Sequence, residues 1–223
     1  MNIKDSLTSA FGQVLFVLII GFIAYLIKNI YVRFVLKDKE KKLSFVEDLG
    51  LSFSKSHFDL TFLYILIGLI IYAIVSTALQ ITYSLELRSM IMNDSSPYFK
   101  ILKNGFGANQ LLLGLIYCFV QAGASEELLF RGIIGQKLFN KFGKYYGNII
   151  QALLFWLMHL LIFKLVTGYW ISFLQLFAFI TSFGLGLLMG WVNFRDKKYS
   201  IVPSWLVHSL VNFITFLTIA FFM

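Results

Sequence analysis

From Leu60 to Ile81 the chain runs for 22 residues without a charge. At 1.5 Å per residue a helix of that length crosses the hydrocarbon core of a bilayer. In lipid every backbone N–H and C=O must be satisfied internally, so such a run has little choice but to be helical. Similar runs recur at Phe11–Ile27, from Leu111 helically on toward Phe139, at Asn148–Phe163, at Val166–Phe194 and from Ile201 to Met223. With 59 % hydrophobic and only 13 % charged positions, the chain reads as all-α, a polytopic transmembrane helical bundle of about six spanning helices. No small-residue cleavage site follows the first run, which we read as an uncleaved span extended towards Leu36.

The connections carry the charge. Lys28 to His57 is polar and basic, and Thr82 to Gln110 mixes charges with turn signals around a short helix at the membrane surface. The loops after spans one, three and five hold 14 of the 19 Lys and Arg, counting Arg131 with the third. The positive-inside rule puts those loops in the cytoplasm and both termini outside, in a multi-pass cell-membrane protein. Because the cations sit between apolar runs rather than on one polar face, the net charge of +8 is a topology signal and no nucleic acid is implied. The single Cys118 lies in an apolar run and reads as a packing residue. Gly186 and Gly190 have GxxxG spacing, which lets a neighbouring backbone come close. Residues 1–110 hold the first two helices with their loops, and 111–223 the core of helices three to six, as one structural unit.

Against this background Ser125 to Gly132, SEELLFRG, stands apart. Each ionisable group taken into hydrocarbon costs roughly 2.5–3.5 kcal/mol on insertion scales, before pairing offsets part of it. Glu127 and Arg131 are four apart and share a helix face, whereas Glu126 is rotated by about 100° and can look into a different space. One acid can then be structural while its neighbour does chemistry. Two blander uses remain open for this stretch: both carboxylates satisfying Arg131, or an ion pathway.

The remaining ionisable groups inside spans narrow the choice. They are His159 in the fourth and His208 in the sixth. Two imidazoles and a carboxylate are what water activation requires, since either can accept the proton as water attacks a carbonyl. Asn212 lies one turn beyond His208 and could donate to a developing oxyanion. Phe155, one turn before His159, reads as core. No GxSxG elbow or HExxH is present.

EELLFR at Glu126–Arg131, Phe155 to His159 and His208 to Asn212 resemble the EExxxR, FxxxH and HxxxN motifs of the CAAX protease and bacteriocin-processing family, the Abi-type intramembrane proteases. The stretches GLGLLMGWV and SIVPSWLVHSLVN are also similar to those proteins. The resemblance implies an intramembrane endopeptidase related to the type II CAAX prenyl endopeptidase. In it Glu126 and His159 would activate water, His208 and Asn212 would stabilise the oxyanion, and Glu127 and Arg131 would hold Glu126 in place. A metalloprotease is the other form this takes: Glu126, His159 and His208 could close an open zinc site, and no cofactor is otherwise implied. The substrate would be a peptide or protein, membrane-embedded or lipidated in some members. Many bacterial members serve bacteriocin self-immunity or peptide processing, and a non-catalytic immunity or partner-binding role is the alternative.

Overall fold

A computed structural model of the protein describes residues 2–32, 44–53, 55–94, 96–167, 173–195 and 199–223. Among them 87 % of the structure is helical and no strand occurs. The first helix, α1 (Ile3–Tyr31), is capped by Asn2, whose side chain accepts from the Asp5 N–H at 2.8 Å. It begins eight residues before the apolar run, and the extension towards Leu36 lies outside the described residues. A one-turn helix, α2 (Phe45–Asp48), follows, and then α3 (Leu60–Tyr83), whose N-terminal cap is Asp59. The surface segment contains two short helices, α4 (Leu85–Ile91) and α5 (Pro97–Leu102).

The third and fourth spans are one helical run folded back on itself. We label its arms α6 (residues 108–142) and α7 (residues 144–167). The fold is at Gly143, with φ 80° and ψ 163°, a left-handed region that a residue bearing Cβ rarely enters. Two further helices, α8 (Phe173–Phe194) and α9 (Val202–Phe222), complete the bundle. Val166 therefore ends the fourth span rather than starting the fifth, and residues 168–172 lie outside the described residues. Four helical stretches are long and apolar enough to cross a membrane, among them the 55-residue hairpin stretch Ala108–Ile162, and a shorter apolar helix lies at Phe179–Phe194. The protein is a multi-pass membrane protein for which about six spans fit.

Helix α6 is the hub, packed against α1, α7 and α9, while α3 packs on α9 and α7 on α8. The α7–α8 seam uses the GxxxG pair as its spacing suggests. A Cβ on Gly186 would lie 3.1 Å from Ala152 Cα, and one on Gly190 would lie 1.9 Å from Asn148 Oδ1. Buried amides lock the same seam: Gln151 donates to the Gly186 carbonyl at 2.7 Å and Asn148 to that of Leu187 at 2.9 Å. Cys118 is fully buried in a cluster with Leu113 and Phe216, as a packing residue should be. Outward, α1 shows Phe11, Leu15, Phe16 and Ile19, and α3 shows Leu63, Tyr64, Ile67 and Ile71. Apolar surface of that extent is stable only against lipid.

At one end of the bundle two connections clasp each other. Ile201 N–H donates to the Gly50 carbonyl at 3.0 Å, and Ser52 Oγ donates to that of Tyr199 at 2.9 Å. From this clasp Tyr199 OH reaches the Arg131 carbonyl at 2.7 Å, tying the loop before α9 to the motif helix. Burial pushes the Tyr199 phenol up, so it stays a donor.

Candidate active site

Around the acid pair, α6 departs from regular α geometry. Wide π turns run over Ile116–Ala124 and Leu128–Gly135, with Ser125–Glu127 between them. Such turns displace a helix's hydrogen-bond ladder and occur often at functional sites. The i,i+4 relation of Glu127 and Arg131 survives: Glu127 Oε1 lies 3.0 Å from Arg131 Nη1, and both side chains are fully buried. That contact is a charge pairing rather than an aligned hydrogen bond, since Nη1 meets no acceptor at good geometry. Arg131 gains further contacts from the Phe155 ring, 4.2 Å beneath its Cζ, and from Met189 Sδ, 3.9 Å from Nη2. Arg131 thus belongs to the bundle interior, and the surface cations of that connection are Lys137, Lys141 and Lys144.

Glu127 has two more partners, both on α9. Its Oε1 accepts from Nδ1–H of His208 at 2.9 Å, and its Oε2 accepts from Ser204 Oγ. Ser204 is held in turn by Asn193 on α8, whose Nδ2 donates to Ser204 Oγ at 2.8 Å. A carboxylate can only accept, so Nδ1 of His208 carries a hydrogen and the ring orientation is fixed. The resemblance gives Glu127 and Arg131 the task of holding Glu126. Here Glu127 is committed instead to Arg131, His208 and Ser204, so the side chain it orients is His208.

Glu126 is the uncommitted acid. Its side chain is 20 % exposed, and its Oε2 lies 3.8 Å from His208 Nε2, too far for a hydrogen bond. That oxygen is buried and has no hydrogen-bond partner among the described residues. His208 therefore stands between two carboxylates, bonded to one and facing the other. His159 is held from its own helix, Nδ1 donating to the Phe155 carbonyl at 2.8 Å, which leaves Nε2 of the neutral ring as an acceptor. Phe155, 2 % exposed, is the common neighbour, its ring centroid 4.5 Å from that of His159 and 5.9 Å from that of His208.

A cavity of about 230 Å³ opens beside these groups, with α3, α7, α8 and α9 as its walls. His159, His208, Asn212 and Phe155 all line it. Asn212 makes no side-chain hydrogen bond among the described residues, so its amide is free to meet something in the cavity. Glu126 does not line the cavity and meets the site through His208. Among the described residues no three His, Cys, Asp or Glu side chains converge as a metal-binding group. Glu126, His159 and His208 in this arrangement do not fit a zinc ion.

Two contributors escape a reading of the sequence. Ser204 sits one turn before His208 on the same face, so an SxxxHxxxN spacing is its visible signal. Asn193 leaves no such trace, because its role exists only through the packing of α8 on α9.

No curated protein and no solved structure matches the chain. Residues 108–214 match the family model described as type II CAAX prenyl endopeptidase Rce1-like, a stretch that contains the EELLFR, FWLMH and HSLVN runs entire. Residues 108–214, which carry the buried acid pair and both histidines, belong to the CAAX protease family, a family of membrane-embedded peptide hydrolases.

Proposed function

We propose that the protein is an intramembrane endopeptidase in which Glu126 and His159 activate water, while His208 and Asn212 stabilise the oxyanion. The observation that carries this reading is the division of labour between adjacent acids: Glu127 is saturated by Arg131, His208 and Ser204, whereas Glu126 has a buried oxygen without a hydrogen bond. A carboxylate kept free of structural duty beside an oriented imidazole is suited to proton transfer.

In the proposed reaction water adds to the scissile carbonyl carbon and its proton passes to Glu126 or His159. The oxyanion receives Nε2–H of a protonated His208 and Nδ2–H of Asn212. The intermediate then collapses, the C–N bond breaks, and the stored proton leaves on the amine. When Glu126 takes the proton, its negative charge moves to the oxyanion, so the net charge of the site does not change in this step. Because Glu126 lies outside the cavity lining, it must turn into the cavity when substrate binds. Catalytic contacts of this kind commonly tighten only in the complex.

Cleavage of a panel of hydrophobic, prenylated and leader-type peptides, wild type beside Glu126→Gln and each with and without chelator, tests the proposal. Cleavage abolished in the variant supports it, and full activity there would overturn it. A loss confined to the chelator lane would assign the water to a metal. We further place the biological role in bacteriocin self-immunity or peptide processing in a bacterial cytoplasmic membrane, with the basic connections inside and both termini outside. That role rests on the motif resemblance and on the distribution of Lys and Arg. Resistance that survives Glu126→Gln in cells would favour the non-catalytic binding role.

A further inference from the structure

We infer that the cavity beside His159 and His208 recognises an uncharged but polar stretch of peptide, through hydroxyl and amide side chains contributed by α3, α8 and α9. The inference rests on the peptidase reading for its consequence but not for its observations. Thr77 and Gln80 on α3, Ser182 on α8 and Thr215 on α9 all line the cavity. Thr77 is 6 % exposed and Ser182 8 %, so each is more than nine-tenths buried. None of these four side chains makes a hydrogen bond among the described residues.

Buried hydroxyls in a membrane protein ordinarily find a carbonyl on their own helix or a partner on the next. Nearby residues on α3 do so: Ser76 Oγ leans on the Ala73 carbonyl at 3.4 Å, and Thr82 Oγ1 donates to that of Ala78 at 2.8 Å. Thr77 and Ser182 do not, and both face the space that His159, His208 and Asn212 share. Their hydroxyls open to the cavity, so an occupant that displaces solvent from them must pair them itself, and its chemistry is thereby constrained. A hydrocarbon or isoprenoid chain has nothing to offer them. A peptide main chain offers an N–H and a C=O per residue, and Ser, Thr, Asn or Gln side chains offer more.

The lining also limits charge. No Lys, Arg, Asp or Glu lines the cavity among the described residues. A charged side chain or a free terminal carboxylate would be desolvated there without a counterion, apart from the two histidines the reaction uses. The segment that fits is internal to its chain and uncharged, with small polar residues to meet Thr77 and Ser182 set among apolar ones to meet Leu185, Met189 and Val211.

The test separates binding from turnover. The probes are an acetylated and amidated decapeptide rich in Ser, Thr and Gln, the same peptide with those residues changed to Val and Leu, and a farnesylated copy of the apolar peptide. Binding is measured to full-length Glu126→Gln protein in detergent, and cleavage is measured with wild type. The polar peptide is expected to bind at least about tenfold more tightly than either apolar probe. Adding Thr77→Val and Ser182→Ala together should erase about tenfold of that affinity while leaving apolar binding unchanged. Thr77→Ser, which keeps the hydroxyl, should retain it, which separates hydrogen bonding from a packing defect. Equal or tighter binding of an apolar or farnesylated probe, or equal weakening of all probes by the double substitution, would overturn the inference. Selective binding of the polar peptide with no cleavage would leave the inference standing and remove the peptidase reading. Cleavage of the apolar probes that depends on Glu126, with no preference for the polar one, would do the reverse.

Discussion

Gln13 Nε2 lies 2.9 Å from Ser125 Oγ, so the first helix touches the residue immediately before Glu126. A second bond in the same seam joins Gln121 Nε2 to Ser9 Oγ at 3.2 Å. Helix α1 lies outside the segment matched to the family, yet it braces the motif helix where the wide turns loosen it. Gln13→Ala should lower stability by about 1 kcal/mol, the usual net worth of one hydrogen bond. Thermal unfolding in detergent would register it, together with partial rather than complete loss of cleavage.

The adjacent acids should respond in opposite ways. Glu127→Gln leaves the fully buried Arg131 without its countercharge, and breaking a buried pair from one side costs about 3–5 kcal/mol. Glu126→Gln breaks no hydrogen bond of its Oε2 and should leave the melting curve close to wild type while cleavage is lost. Melting and activity measured on both proteins would separate the structural carboxylate from the proposed catalytic one.

Asn212→Ala should reduce kcat by about 10²–10³, the range for one oxyanion donor. It should leave KM and melting nearly unchanged, because the side chain makes no hydrogen bond within the described protein. A melting defect as large as the activity defect would instead mark Asn212 as a packing residue.

The glycines of α8 divide sharply. A Cβ at Gly190 would overlap Asn148 Oδ1 and crowd Gln151 Nε2 at 2.8 Å, so Gly190→Ala should cost about 1–3 kcal/mol as an overpacked seam. Gly184 has nothing within 4 Å of a built Cβ, and Gly184→Ala should be neutral or slightly stabilising through helix propensity. Paired thermal unfolding of the two variants reads the difference.

Asp59 supplies a pH dependence away from the site. The Phe62 N–H at the start of α3, and then the Arg195 guanidinium at 2.7 Å, hold its carboxyl below the usual carboxylate range. Its contribution is therefore complete above the unfolded value of about 3.9 and is lost as the pH falls through the lower folded value. Asp59→Asn should flatten the acid limb of stability against pH without altering the neutral region.

All spans but the third were legible because hydrocarbon leaves charge-free runs of 16 to 29 residues little freedom except to be helices. The grouping of these polar residues was legible too: His159, His208 and Asn212 line one cavity, and Glu126 and Glu127 both face His208. What could not be read is which acid serves which partner. Helix periodicity separates Glu126 from Glu127 but says nothing of what lies opposite each, and the Glu127–His208 contact spans 81 residues of chain. The wide turns of α6 were hidden for a related reason, since the apolar residues there suit either helical winding. The break between α7 and α8 was misplaced because Val166 is as apolar as its neighbours, and composition does not mark where such a helix ends.

Gly143 makes the depth of the site a matter of counting. Seventeen positions separate it from Glu126 along one arm and sixteen separate it from His159 along the other. A chain folded at that glycine brings the two arms back alongside each other, as a sheet creased near its middle brings marks on its two halves together. Adding or removing one residue in either arm would shift one group by about 1.5 Å and swing it by about 100°. The length of the hairpin is thus as much a part of the candidate site's specification as the residues that name the motifs, and it is written in a stretch that contributes no side chain to that site.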